Sequence, residues 1–206
     1  MLTLYYAVNT CSLATHIALE DARAPYKLHA VDFAKSEQQS PDYLKINPKG
    51  RVPALVTPRG ILTETPAMLA FVAQSFPEAM LAPLNNAFEF AELQSFTSCL
   101  CSTVHVAHAH RVRGYRWAYE ATSFADMQRK VPEAVGACFD LIETRMLKGP
   151  WVMGQNYTIA DPHLFTIAQW LEADGVNLER IPRVIEHRER MLSRSSVRRA
   201  IATERD

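Results

Sequence analysis

Cysteine and glycine are scarce in this chain: 4 and 7 of 206 residues. Four cysteines (Cys11, Cys99, Cys101 and Cys138), with no CxxC among them, exclude a disulfide scaffold, a zinc ribbon and a dithiol redox motif. A cysteine that matters here acts alone. Charge of either sign is not in excess, since 22 Lys+Arg balance 22 Asp+Glu. No electrostatic case for nucleic acid or an anionic membrane follows from that balance. No run reaches the ~18 consecutive apolar residues of a membrane span. The first residues lack the basic region and small-residue cleavage site of a secretory signal, so a cytoplasmic location is expected. What is present is an ordinary globular composition, 48% hydrophobic and 21% charged.

The hydrophobic period divides the chain in two. Residues 2–6 form a short strand and 12–24 a helix, with Leu13, Ile17 and Leu19 among its apolar positions and a second strand at 27–32. The runs Val52–Val56 and Ile61–Leu62 flank Thr57-Pro58-Arg59-Gly60, which has turn chemistry. A helix follows from Thr65 to about Phe76. The order is that of a small mixed α/β layer, covering 1–77. Residues 77–86 carry two prolines and two asparagines and read as a linker. Beyond it, helical stretches at 87–117, 122–148, 158–173 and 181–203 make 87–206 an all-helical domain.

Four segments carry chemistry. In the first, Cys11 sits where a loop enters the helix at Ser12. A helix start offers unpaired N–H groups and a dipole that favour a thiolate; the alternative is a small loop residue. The other three cysteines lie in apolar helical stretches and read as core filler. In the second, Asn47-Pro48-Lys49-Gly50-Arg51-Val52-Pro53, the proline opens a strand behind a glycine turn. A cis Val52–Pro53 bond would expose the Val52 backbone to an extended peptide ligand; the alternative is a trans edge-strand proline. In the third, Glu64-Thr65-Pro66, Thr65 has N-cap chemistry and Pro66 suits the first helical position. Glu64 and the helix amides would hold the ammonium and carboxylate of an amino-acid head; the alternative is an ordinary cap. In the fourth, Thr158 and Asp161 form a capping-box variant with a structural role.

His105 and His108 share a helix face, but no third ligand is spaced for a metal, and none is expected. Their alternatives are to line a cleft with Arg111, Arg113 and Trp117 or to pack. The arginines between 180 and 205, interleaved with Glu186 and Glu189, read as a solvated helix face.

Taken together, TCSLATHIALE (10–20), NPKGRVPAL (47–55), LTETPAML (62–69) and YTIADPHLF (157–165) resemble the cytosolic glutathione transferases, most closely the bacterial beta class. The resemblance implies an α/β thioredoxin-like N-terminal domain, an all-α C-terminal domain and a homodimer. It implies glutathione as co-substrate, with no metal, and a small hydrophobic electrophile as second substrate. By the same resemblance Cys11 and His105 act on the glutathione sulfur. Lys35, Arg51, Val52, Pro53, Glu64 and Thr65 hold the rest of the tripeptide. Tyr6, His108, Arg113, Tyr115 and Trp117 are the electrophile-site candidates. Val106 stands where a lysine commonly follows the histidine. Three functions stay open: conjugation of the glutathione thiolate in detoxification, glutathione-dependent disulfide reduction with Cys11 as nucleophile, and a non-catalytic binding or scaffold role.

Overall fold

The computed structural model describes residues 1–205. The chain forms two compact units: Met1–Ala91 joined by the C-terminal segment from Met191, and Glu92–Arg190.

In the first unit, β1 (Leu2–Tyr6), β2 (Tyr26–Ala30), β3 (Ala54–Thr57) and β4 (Gly60–Thr63) form one sheet in the order β2-β1-β3-β4. β1 and β2 are parallel, as the intervening helix α1 (Ser12–Asp21) requires; β3 and β4 form an antiparallel hairpin, and β3 runs antiparallel to β1. This is the small mixed α/β layer read from the periodicity and the thioredoxin-like sheet that the resemblance implies. Leu4 and Leu55, paired across β1 and β3, are fully buried. They share the core with Ile17 and Leu19 of α1 and with Met68, Leu69 and Val72 of α3 (Thr65–Ser75).

One helix escaped the periodicity. α2 (Pro41–Ile46) is only 6 residues long, too short for a repeat to register, yet it has a local start signal. The Ser40 side chain accepts a hydrogen bond from the Tyr43 N–H, and proline stands in the first turn.

The second unit is helical. α4 (Ala87–Cys99) leads through a π-helical turn, Leu100–Val104, into α5 (His105–Ala109), so the stretch expected as one helix to 117 ends earlier. α6 (Ala121–Leu141) and α7 (Ala160–Ala168) follow, with Phe139, Ile142, Leu164 and Phe165 in the core. The expected last helix is two, α8 (Pro182–Ser193) and α9 (Ser195–Arg205).

α9 packs on α1, although the sequence placed everything from 87 onward in the helical domain. Buried His16 explains the attachment: its Nδ1 meets Glu204 at 2.9 Å and its Nε2 meets the Tyr26 hydroxyl at 2.9 Å. Arg199 pairs with Glu20, and Arg194 with Asp21. Part of the arginine-rich tail is therefore a seam of ion pairs rather than a solvated face. Among the described residues no helix is long and apolar enough to cross a membrane.

Candidate functional site

Cys11 occupies the N-cap position of α1, half-buried. Its thiol donates to the Val52 carbonyl oxygen at 3.5 Å, across 41 positions of sequence. The loop that presents it is tied by short-range bonds. The Thr10 hydroxyl donates to the Ala7 carbonyl at 2.8 Å, and the Ser12 hydroxyl to the same oxygen at 3.1 Å. The amides expected to be free at this helix start are engaged at long range: Ser12 N–H with the Thr10 hydroxyl at 3.3 Å, Leu13 N–H with the Thr10 carbonyl at 3.3 Å, and Ala14 N–H with the Cys11 carbonyl at 3.4 Å. The electrostatic effect of this end on an anion therefore rests on the dipole and on thinly bonded donors.

Val52–Pro53 is cis, and both residues are buried. The turn before it is braced from α2. The Tyr43 hydroxyl donates to the Arg51 carbonyl at 2.7 Å, and Asn47 Nδ2 donates to the same oxygen at 2.6 Å. Burial pushes the Tyr43 hydroxyl up to about 12, with Tyr5, Cys11 and Glu37 adding to the effect. Gly50 sits at φ +60, where an L side chain is strained, and a Cβ there would lie 3.1 Å from the Gln38 carbonyl oxygen, so this turn favours glycine. The Arg51 side chain is exposed; its backbone carbonyl makes the contacts.

Glu64, at φ 73 and ψ 119, takes the N-cap position of α3 one residue earlier than the Thr65 cap expected; Thr65 is buried as the first helical residue. A non-glycine residue held at positive φ is a strained position, of the kind that clusters at ligand sites. Its exposed carboxylate pairs with Lys49 Nζ, which also donates to the Thr63 hydroxyl at 2.7 Å. Lys49 belongs to the turn before cis-Pro53, and the sequence assigns it no role. Lys35, its candidate lysine, is exposed and pairs at 2.9 Å with Asp32 three residues earlier.

The remaining candidates divide by unit. Tyr6, in the α/β unit, is buried with its ring 6.3 Å from that of His16, and its hydroxyl is pushed up by burial and by Glu204. In the helical unit His105 opens α5, half-buried, with its ring 5.0 Å from that of Trp170. His108 is buried and takes the packing alternative: its Nδ1 meets both oxygens of Asp174, at 2.9 and 2.8 Å. Arg113 is half-buried; Tyr115 and Trp117 are exposed, and the Trp117 ring meets His110 edge-on at 4.3 Å. Cys101 is not plain core filler, because its thiol lies 3.8 Å from Nε2 of fully buried His163. Burial, assisted by His105, pushes His163 down to about 3, so this ring is neutral near pH 7.

Asp161 is completely buried and reaches back to the Thr158 N–H at 2.7 Å and the Thr158 hydroxyl at 3.3 Å, the box expected from the sequence. It also accepts from the Val152 N–H at 2.8 Å and meets His187 Nε2 at 3.0 Å. Those partners lie too far away in sequence for a local motif to reveal. No cluster of three or more His, Cys, Asp or Glu side chains able to hold a metal occurs among the described residues.

Residues 1–74 match the glutathione S-transferase N-terminal domain family, and residues 96–195 match the C-terminal domain family. The chain belongs to the glutathione S-transferase family. It is 30% identical over 205 residues, 98% of each chain, to glutathione S-transferase GstA of Escherichia coli O157:H7. Among solved structures, a glutathione transferase homologue from Sulfitobacter with bound glutathione is 46% identical, with a TM-score of 0.95 over 98% of both chains. A bacterial beta class glutathione S-transferase from Sphingomonas chungbukensis is 30% identical, with a TM-score of 0.85 over 98% of both chains. The chain is thus an enzyme of this transferase family, similar to its bacterial beta class.

Proposed function

We propose that the protein conjugates the thiolate of glutathione, as co-substrate, to small hydrophobic electrophiles. It does so as a cytoplasmic homodimer with a detoxifying role. The observation that carries this reading is the Cys11 thiol at the start of α1, 3.5 Å from the carbonyl of Val52, which precedes cis-Pro53.

In this reading the Val52 backbone, next to Arg51 and Pro53, pairs with the cysteinyl part of an extended tripeptide. Glu64 and Thr65 hold its γ-glutamyl head. Lys49, already at Glu64, and Lys35 are the cations available to the carboxylates. The sulfur then lies near Cys11, where a hydrogen bond from the thiol and the dipole of α1 favour its anion. His105 is the second group acting on the sulfur. Arg113, Tyr115 and Trp117 offer the electrophile cationic and aromatic surface, while the side chains of Tyr6 and His108 are committed to neighbours within their own units.

A second reading uses Cys11 as nucleophile toward a glutathione disulfide. Its half-buried position at a helix start suits that chemistry as well. Two assays of wild type and Cys11→Ala separate the readings: conjugation of glutathione to a chloronitrobenzene, and reduction of a glutathione mixed disulfide. Wild-type conjugation that persists, reduced, in the variant supports the transferase reading. Disulfide reduction without conjugation, abolished by the substitution, supports the other.

A further inference from the structure

The helical unit holds a buried carboxylate with no place in the sequence reading. Asp174 is 3% exposed and lies in the turn after α7, where its N–H is held by the Trp170 carbonyl at 2.9 Å. Both of its oxygens lie within 2.9 Å of His108 Nδ1, and Arg111 Nε stands 3.2 Å from one of them. A carboxylate can only accept, so His108 Nδ1 carries the hydrogen and the ring is fixed in both tautomer and orientation.

That ring lies nearly parallel to the indole of Trp170, with centroids 4.3 Å apart and planes 21° apart. His105 rests on the same indole, 5.0 Å away and tilted by 56°, and is 6.1 Å from His108. Three rings are thus in mutual contact, and the buried carboxylate of Asp174 locks one of them. Stacking contacts of this kind each contribute a modest orienting energy. His105 stands at the junction of a π-helical turn and the 5-residue helix α5.

We infer that Asp174 is a positioning residue for His105, acting through His108 and the indole of Trp170. The inference rests on the reading in which His105 acts on the glutathione sulfur. A histidine directed at a reacting atom loses rate steeply when displaced by an ångström or less. Removing the Asp174 carboxylate frees His108 to rotate and leaves the indole without its flat partner.

The test is a double-mutant cycle on full-length protein, with a chloronitrobenzene as electrophile. Wild type, Asp174→Ala, His105→Ala and the double variant are compared by kcat, by KM for glutathione and by melting temperature. Asp174→Ala is expected to lower kcat about tenfold with little change in KM for glutathione. In the His105→Ala background it is expected to cause no further loss. Asp174→Asn, which keeps one acceptor oxygen for His108, should recover part of the rate. It also carries the comparison, at smaller amplitude, should Asp174→Ala fail to accumulate as folded protein. Equal losses from Asp174→Ala in both backgrounds, or no loss at all, would overturn the inference and leave Asp174 a purely structural residue. A wild-type rate in His105→Ala alone would instead remove His105 from the chemistry, and the proposed route with it.

Discussion

The Cys11 thiol points at the Val52 carbonyl oxygen, 3.5 Å away, and so joins the start of α1 to the turn that enters β3. Neither partner is placed by local sequence. The parallel β1-α1-β2 unit delivers one, and the braced 47–53 turn delivers the other. In the proposed reading, a tripeptide laid along that turn has its central residue beside the thiol.

Glu64→Ala is expected to weaken glutathione binding by about one to two decades, the worth of a charge-assisted hydrogen bond to an ammonium. Lys49 loses an exposed carboxylate in this variant but keeps the Thr63 hydroxyl, so melting temperature should change little. Titration calorimetry with glutathione is the measurement. Unchanged affinity removes Glu64 from the site and leaves its strained backbone without a ligand to explain it.

Asp161→Ala acts on the fold. It strips acceptors from the Thr158 and Val152 amides and a partner from fully buried His187. Breaking such a buried network costs about 3–5 kcal/mol, near 10 °C in melting temperature for a chain of this size. Soluble yield should fall, while turnover per folded molecule is nearly kept. A variant of normal stability with lost turnover would place Asp161 in the chemistry instead.

His163 makes stability sensitive to acid. Its folded value lies near 3, below the ordinary 6.5 of an unfolded histidine. Between those values the unfolded chain binds the extra proton and the folded one does not. Stability from this group is therefore complete above about pH 6.5 and is lost as pH falls toward 3, by up to several kcal/mol. Melting curves from pH 7 to pH 4 should fall less steeply in His163→Phe than in wild type. Parallel slopes would show that His163 is not the group responsible.

Much of the fold was legible because it is written in local period and local caps. The strand of residues 2–6, the 57–60 turn and the Thr158–Asp161 box all depend on neighbours within a few positions. α2 was missed because a 6-residue helix shows no repeat, and the break between α8 and α9 because amphipathic character continues across it. The expected free amides after Cys11 proved engaged, since Thr10 can fold back on them, which composition does not disclose. The His16–Glu204, Asp161–His187 and His108–Asp174 pairs span 188, 26 and 66 positions. A single sequence carries no signal for such distant partners. Each shows only as an isolated histidine or acid, and packing alone brings the two together.

The most direct test of the account is the conjugation rate of glutathione with a chloronitrobenzene in wild type and in Cys11→Ser. If Cys11 polarises the sulfur of bound glutathione, the serine hydroxyl still donates a hydrogen bond, and kcat/KM should fall only about tenfold, near 1.4 kcal/mol of barrier. Complete loss of conjugation in Cys11→Ser, together with a stable glutathionyl adduct on Cys11 of the purified wild type, would contradict the account and make Cys11 the nucleophile.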